Sequence, residues 1–275
     1  MKAREVFDLI VKMAHKNGEP GIIFIDRMNK GNPTPKLGDI ESTNPCGEQP
    51  ILPYESCNLG SVNLARIIKD GKIDWQKLAR TIKTAVHFLD NVIDMNKYPL
   101  KKIERMTRAN RKIGLGVMGF ADMLVKMGIP YNSEEAIRTA EELMKFILGE
   151  SVKASAELAS RRGVFPNFKG SIYDAPGGPR LRNATLTTIA PTGTLSIIAD
   201  CSSGIEPLFA LAYYRNVLDN DKLIEVNTLL KETASGDGFY NEALMKRVIE
   251  KGGVGDVEGV PEEVKRVFVT AHDIS

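Results

Sequence analysis

The sequence predicts an α/β fold, because short runs rich in β-branched residues alternate with long helical patterns of apolar residues. Residues 21–25 (Gly-Ile-Ile-Phe-Ile) and residues 185–190 (Thr-Leu-Thr-Thr-Ile-Ala) are typical of short strands. Between them, apolar residues recur every three to four positions after Asp74 and again after Ser133, as in amphipathic helices. Asp74 and Ser133 are themselves favourable N-cap residues, and this places the starts of the two helices.

The other elements follow from the same two patterns and from the glycines and prolines that end them. Helices are predicted at residues 1–17, 74–93, 133–159, 218–230, 241–251 and 261–268. Strands are predicted at residues 21–25, 58–65 and 185–190. Gly18 and Gly163 stand where two of the helices should end, and residues 165–179 are punctuated as a loop.

Composition and charge narrow the class of protein. The 275 residues are 43% hydrophobic and 26% charged, as in ordinary globular proteins, and the formal net charge of +2 predicts no strong field for nucleic acid or membrane. No apolar run approaches the length of a membrane span. Three cysteines do not form the disulfide framework of a secreted protein, so a cytoplasmic location is expected. The cysteines and histidines show neither CxxC nor HExxH spacing, so no metal site is predicted.

Two stretches in the middle of the chain admit more than one interpretation. Residues 101–112 carry six Lys or Arg residues, but few aromatic residues are interleaved, and a solvated helix face is favoured over a nucleic-acid patch. Residues 114–119 match GxGxxG, a dinucleotide-binding pattern. The residues before them look too short for a buried strand, so the glycines are interpreted as close-packing positions at the start of a helix that runs through Leu124.

Residues 43–58 form the most informative stretch. Its three prolines and a glycine exclude a regular helix and predict an extended chain or a loop. In an extended chain, Asn44, Cys46 and Glu48 would share one side. A buried structural cysteine is the alternative, but a packing thiol favours apolar neighbours over an amide and an acid.

Residues 185–199 predict a strand, a turn rich in hydroxyl groups and the start of a helix. Free amides and the helix dipole at such a turn can bind an anion. The amides would come from residues 192–196, and three of these residues also carry hydroxyl groups. N-capping alone explains threonine and serine here equally well, so the residues by themselves leave both interpretations open.

The two stretches together resemble a known family. Asn44-Pro-Cys-Gly-Glu48, Ser56-Cys-Asn-Leu-Gly-Ser61 and Ala190-Pro-Thr-Gly-Thr-Leu-Ser196 are similar to the active-site motifs of the ribonucleotide reductase catalytic (large) subunit. The resemblance implies an α/β fold that is part of a ten-stranded barrel, with a central finger loop that carries a radical cysteine. It also implies that residues 1–275 are a single partial barrel domain, with segments upstream and downstream absent.

The resemblance assigns roles to individual residues. Cys46 matches the thiyl radical that abstracts the 3′-hydrogen of a ribonucleotide, and Glu48 matches the base for the 3′-hydroxyl. Asn44 would hold that carboxylate or the substrate hydroxyls. Cys57 matches one of two cysteines that supply reducing equivalents and become a disulfide, while Cys201 has the wrong place in the pattern to be its partner. The substrate phosphates would be held by Pro191, Thr192, Gly193, Thr194, Leu195 and Ser196.

The resemblance also implies a cofactor and partners. The run from Leu195 to Pro207 is more similar to the class that depends on adenosylcobalamin (vitamin B12) than to the class served by a di-iron subunit. The expected activity is reduction of ribonucleotides, as diphosphates, to 2′-deoxyribonucleotides for DNA synthesis, with a thioredoxin- or glutaredoxin-type dithiol as reductant and a homodimer as a further expectation. The alternatives are a catalytically incomplete fragment and, more weakly, a Cys/His hydrolase, which no histidine beside either loop supports.

Overall fold

The computed structural model describes residues 2–216 and 222–274. The helices are α1 (Ala3–Asn17), α2 (Ile25–Lys30), α3 (Trp75–Met95), α4 (Lys101–Asn110), α5 (Phe120–Met127), α6 (Glu134–Arg162), α7 (Gly193–Ala199), α8 (Thr228–Gly236), α9 (Glu242–Lys251) and α10 (Glu262–Val267). The strands are β1 (Ser42–Thr43), β2 (Pro50–Ile51), β3 (Asn58–Asn63), β4 (Ile68–Lys69), β5 (Lys72–Ile73), β6 (Ile113–Met118), β7 (Ala212–Asn216) and β8 (Lys222–Val226).

The centre of the molecule is the parallel pair of β3 and β6. The register runs from Asn58 opposite Ile113 to Asn63 opposite Met118, and all six residues of β6 are buried. Parallel neighbours need a long crossover, and here α3 and α4 lie between the two strands in sequence. A parallel pair enclosed by helices in this way is an α/β arrangement, as predicted.

Helix α3 packs on both β3 and β6, helix α6 packs on α3, and together they form the main core. Buried residues of α3 and α6 join those of β6 in one cluster: Leu78, Ile82, Val86, Leu143, Ile147, Ile113, Leu115 and Val117. The ring of Trp75 in α3 packs at a tilt of 58° against that of Phe146 in α6, with centroids 4.7 Å apart, so the tryptophan lies between the two helices. A second core joins the C-terminal helices α8, α9 and α10 to Ala121 of α5.

The helices with clear caps are confirmed. The amide of Lys77 donates to Asp74 at 2.8 Å, and the amide of Ala136 donates to Ser133 at 3.1 Å, so both predicted N-caps are in place. The predicted helices at residues 1–17, 241–251 and 261–268 also match α1, α9 and α10 closely.

Several strand predictions are corrected by the structure. Residues 21–24 form no strand and Ile25 begins α2; Ile22 and Phe24 are 53% and 63% exposed, because no described strand lies beside them. Residues 114–118 lie inside β6 and not at a helix start. Residues 185–190 contribute a single parallel bridge, between Thr187 and Leu115.

The helix predicted at residues 218–230 is also wrong where it can be judged. Lys222–Val226 is strand β8, which pairs antiparallel with β7, and helix α8 begins only at Thr228. Residues 217–221 lie outside the described residues.

The ten-stranded barrel is not closed by the described part of this chain. Each sheet among residues 2–216 and 222–274 has two strands, and β3–β6 is the parallel one. A barrel needs every strand paired on both sides, and β3 is paired on one side only in this range. The fold is therefore a mixed α/β piece of such an architecture. No helix of the described residues is both long and apolar enough to span a lipid bilayer.

Candidate functional site

The predicted finger loop is a tight hairpin with Cys46 at its tip. Strands β1 and β2 pair antiparallel, and between them the amide of Gly47 donates to the carbonyl of Asn44 at 3.0 Å. Gly47 has φ +85°, a left-handed conformation that suits glycine. Cys46 is exposed as a result. Because residues 44–47 turn, the alternation expected of an extended chain does not apply, and Asn44, Cys46 and Glu48 are not aligned as predicted.

Asn44 supports the hairpin itself. Its side-chain oxygen accepts the amide of Gln49 at 2.9 Å, and the amide of Asn44 donates to the carbonyl of Gln49 at 3.2 Å. These two bonds close the loop across its base. The structure thus gives the amide group of Asn44 a scaffolding contact that sequence reasoning did not predict.

The base of the hairpin rests on the segment that leads to the hydroxyl-rich turn. The hydroxyl of Thr188 donates to the carbonyl of Glu48 at 3.0 Å. Gln49 is buried beside Gly114, where an added Cβ would lie 2.5 Å from the Gln49 amide nitrogen. The cysteine loop is therefore fixed to a residue four positions before Thr192, although the two stretches are far apart in sequence.

One carboxylate oxygen of Glu48 accepts no hydrogen bond from the described residues. The residue is half-buried, and its Oε2 atom is buried without a hydrogen-bond partner among the described residues. A buried carboxylate oxygen without a protein donor is costly, so this atom can accept a hydrogen bond from a bound ligand or an ordered water molecule.

Cys57 is a half-buried thiol directly before β3. Burial raises its pKa to about 11, Lys112 lowers it, and the carboxylates of Glu55 and Glu48 raise it further. Cys57 comes directly before the Asn58–Ile113 pair, and the neighbouring Gly114 lies beside Gln49, which places Cys57 near the base of the hairpin. All three cysteines, Cys46, Cys57 and Cys201, are free thiols.

The hydroxyl-rich turn begins α7 and offers amides more than hydroxyl groups. Thr192 is buried at φ +54°, and its hydroxyl accepts the amide of Gly204 at 2.7 Å. The hydroxyl of Ser196 donates to the carbonyl of Gly193 at 3.0 Å. Two of the three predicted hydroxyl groups are therefore already hydrogen-bonded within the protein, whereas Thr194 is exposed. At a helix start the first amides have no intrahelical acceptor, so those of Gly193 to Leu195 face outward.

Cys201 occupies a different environment. Its Cβ lies beside Gly119, and burial, together with Asp122 and Asp200, raises its pKa to about 11. Among the described residues, no three histidine, cysteine, aspartate or glutamate side chains are grouped to hold a metal ion.

With this geometry in place, comparison with known proteins identifies the family. The family model described as "Ribonucleotide reductase, barrel domain" matches residues 1–177 and 179–275. The chain belongs to this family.

Individual proteins within this family are also similar to the chain. A vitamin B12-dependent ribonucleoside-diphosphate reductase of Thermoplasma acidophilum is 57% identical over the whole chain, which spans 36% of that protein. A Mycobacterium tuberculosis protein of the same name is 50% identical, and the chain spans 39% of it. Among solved structures, the Actinobacillus ureae class Id ribonucleotide reductase alpha subunit matches with a TM-score of 0.78 and 26% identity; the match covers 97% of this chain and 49% of that one.

Sequence reasoning missed the residues that hold this family's cysteine loop in place here. Glu55 and Lys112 are completely buried and form an ion pair of 2.6 Å, and Asn110 donates to the same carboxylate at 2.6 Å. The available signal was a lysine directly before the apolar, glycine-containing run of β6. Lys112 did not stand out because it follows a strongly basic stretch, which is interpreted as a whole as one solvated helix face.

Proposed function

We propose that this chain supplies the radical cysteine and the phosphate-binding turn of a ribonucleotide reductase that acts on ribonucleoside diphosphates. The observation that carries the proposal is the hydrogen bond from Thr188 to Glu48, which joins the finger loop to the segment leading into residues 191–196. The unpartnered Oε2 atom of Glu48 supports it, because a substrate hydroxyl would supply the missing donor. Residues 1–275 would then be one part of the catalytic barrel domain.

In this proposal each side chain has its own part in the reaction. The thiyl radical of Cys46 takes the 3′-hydrogen atom of the ribose and returns it at the end. Glu48 accepts the 3′-hydroxyl proton as general base, and the 2′-hydroxyl, once protonated, leaves as water. Cys57 and a second thiol, supplied by another part of the reductase, give two electrons and two protons in total, including the proton that leaves in the water, and become a disulfide. A ribonucleotide and a dithiol thus yield a deoxyribonucleotide, a disulfide and water.

The turn at residues 191–196 would orient the substrate. The amides of Gly193, Thr194 and Leu195 would bind the phosphate oxygens, with the exposed hydroxyl of Thr194 as a further donor. Pro191, Thr192 and Ser196 would shape the turn through their internal contacts. Fixing the phosphates in this way aligns the ribose with the sulfur of Cys46.

Adenosylcobalamin is the radical source that we propose, since the two relatives at 57% and 50% identity are named as vitamin B12-dependent. The residues present fit an external radical source, because Cys46 is exposed at the tip of its hairpin and can be reached from outside the chain. When bound, the cofactor supplies the one-electron chemistry that converts a thiol to a thiyl radical. A thioredoxin- or glutaredoxin-type dithiol would reduce the disulfide of Cys57 after each turnover.

A chimera tests this function. Residues 1–275 replace the matched segment of the Thermoplasma acidophilum reductase, and formation of deoxyribonucleoside diphosphate is measured with adenosylcobalamin and a dithiol. We expect turnover by the chimera and none by the isolated chain. Cys46→Ser should abolish turnover, and Glu48→Gln should lower it by about 10²–10⁴-fold, the range for loss of a general base. Cys201→Ser is the matched control and should leave turnover unchanged. A Cys46→Ser chimera that still makes deoxyribonucleotide would refute the assignment.

A further inference from the structure

A completely buried ion pair lies directly beside Cys57, and the proposed chemistry gives it no task. The Lys112 ammonium and the Glu55 carboxylate are 2.6 Å apart, and neither side chain is exposed. Lys112 also donates to the carbonyl of Pro50 at 3.3 Å. Removing two charges from water is expensive, and a well-packed apolar pair is often at least as stable. Stability alone therefore does not explain why the two charges are buried here.

The strand register places this pair at the thiol. Pairing of β3 with β6 begins at Asn58 opposite Ile113. The preceding residues, Cys57 and Lys112, therefore stand next to each other across the two chains. Glu55 lies two residues before Cys57 and approaches the same point from the loop.

Glu55 fixes the loop that carries the thiol. Its Oε2 atom accepts the amide of Leu52 at 2.8 Å as well as the ammonium of Lys112. Its Oε1 atom accepts the side-chain amide of Asn110 at 2.6 Å. Both carboxylate oxygens are therefore used, and residues 50–57 are tied to the start of β6.

Three charged groups change the pKa of the Cys57 thiol, and they do not all change it in the same direction. Lys112 lowers the pKa of the thiol, whereas Glu55 and Glu48 raise it, and burial is the largest cause of its rise to about 11. The thiol is therefore protonated at neutral pH. A group that delivers hydrogen to a substrate has to carry it, so this balance of charges suits the role proposed for Cys57.

We propose that Lys112 and Glu55 are positioning residues for Cys57, which hold its loop and set the protonation of its thiol through opposite charges. Their part in ribonucleotide reduction rests on the proposed function. The effect on the thiol itself does not, and it can be measured in this chain without turnover.

The test is the pH profile of Cys57 alkylation in the full chain. Cys46→Ser and Cys201→Ser leave Cys57 as the reactive thiol, and iodoacetamide modification is followed by mass spectrometry between pH 7 and pH 10. Removing the carboxylate with Glu55→Gln should lower the pKa and accelerate alkylation, and removing the cation with Lys112→Met should raise the pKa and slow it. Below the pKa each unit changes the thiolate fraction about tenfold, so we expect changes of about threefold or more at pH 8.

The two variants should change the alkylation rate in opposite directions, and this separates an effect on the pKa of Cys57 from a general loosening of its loop. A variant that merely loosens the loop would expose the thiol and accelerate alkylation in both cases. Glu150→Gln, which removes the acid of an exposed pair with Lys153 at 2.7 Å, is the matched control and should leave the profile unchanged. Shifts in the same direction for the two variants, or profiles that match the control, would overturn the proposal.

Folding of the variants has its own check. Lys112→Met leaves a buried carboxylate unpaired, so circular dichroism is recorded for every variant. Where Lys112→Met fails to fold, the double variant Glu55→Gln/Lys112→Met, which leaves neither charge unpaired, takes its place. Alkylation of the double variant should be slower than that of Glu55→Gln, because loss of the cation raises the pKa of the thiol again. Alkylation at least as fast as in Glu55→Gln would indicate loosening and overturn the proposal. A chimera without turnover would refute the proposed function and leave this result standing.

Discussion

At the scale of single residues, Asp90 joins several elements outside the candidate site. It is completely buried, and its carboxylate bonds to Arg111 at 2.9 Å, to Arg162 at 3.1 Å and to the side-chain amide of Asn183 at 3.0 Å. These contacts join α3 to the start of β6, to the end of α6 and to the segment before Thr185. Asp90→Ala would leave Arg111 with Asp94 as its remaining acid and would remove an acceptor of the buried Asn183 amide, so we expect unfolding to be easier by about 1–3 kcal/mol, measured by urea denaturation.

A surface pair provides the control for Asp90. Glu157 and Lys83 are 2.6 Å apart and about half-exposed, and pairs so open to solvent contribute little to stability. Glu157→Gln should therefore leave the urea midpoint nearly unchanged. Equal effects of the two substitutions would show that the Asp90 contacts do not hold these elements together.

The buried charges also show what one sequence cannot reveal. Arg111 and Lys112 were assigned to a solvated basic face, but α4 ends at Asn110 and Arg111 turns at φ +49° into the interior. Their acids, Asp90 and Glu55, lie 21 and 57 residues earlier. Pairing over such distances depends on the packed fold, and periodicity within one helix contains no information about it.

At the scale of elements, the glycines of β6 allow two chain segments to approach. A Cβ added at Gly116 would lie 2.7 Å from the carbonyl oxygen of Thr188, a backbone atom that cannot move aside cheaply. Gly116→Ala should therefore push residues 185–188 away from β6 and lower the free energy of unfolding by about 1–3 kcal/mol, as overpacking does. Urea denaturation measures the effect, and Thr188 is also the residue that holds Glu48.

Gly60 of β3 is the matched control for this prediction. A Cβ there would lie 3.5 Å from the side chain of Leu89, which is ordinary contact. Gly60→Ala should leave stability unchanged or raise it by up to about 1 kcal/mol, because alanine restricts the unfolded chain. If Gly116→Ala is tolerated as well as Gly60→Ala, the close approach of Thr188 does not limit this strand.

Helices were easier to predict than strands for a physical reason. The signals of α3 and α6 are local, since Asp74 and Ser133 cap them and one apolar stripe runs along each. A strand exists only beside a neighbour. Residues 21–24 have the composition of a strand but no described partner. Strand β6 contains Gly114, Gly116 and Met118, which do not favour a strand locally, and its partner β3 begins 55 residues earlier, so the sequence did not indicate it. The finger loop and the turn were located from their motifs, but their contacts through Thr188 were not predictable.

At the scale of the whole molecule, the main core is not covered by protein on every side within the described residues. The free edge of β3 borders a cavity of about 430 Å³ lined by Gly60, Phe88 and Leu89 among others, and Phe88 is 64% exposed. Helix α1 buries none of its residues, and Phe7 is 59% exposed. These surfaces are consistent with a chain that spans 36% of its Thermoplasma acidophilum relative.

The uneven burial predicts that the molecule does not unfold as one unit. A helix of 15 residues that fully buries none of its side chains is only marginally stable in water, so amides of α1 should exchange with deuterium almost as fast as those of an unfolded peptide. Helix α9 is shorter, with 10 residues, but buries Leu244, Met245 and Val248. Its amides should therefore be better protected than those of α1, and those of α3, in the main core, should be protected best. Hydrogen–deuterium exchange of the 275-residue chain by mass spectrometry ranks the three helices. Protection of α1 equal to that of α3 would mean that α1 gains its stability from contacts the structure does not show.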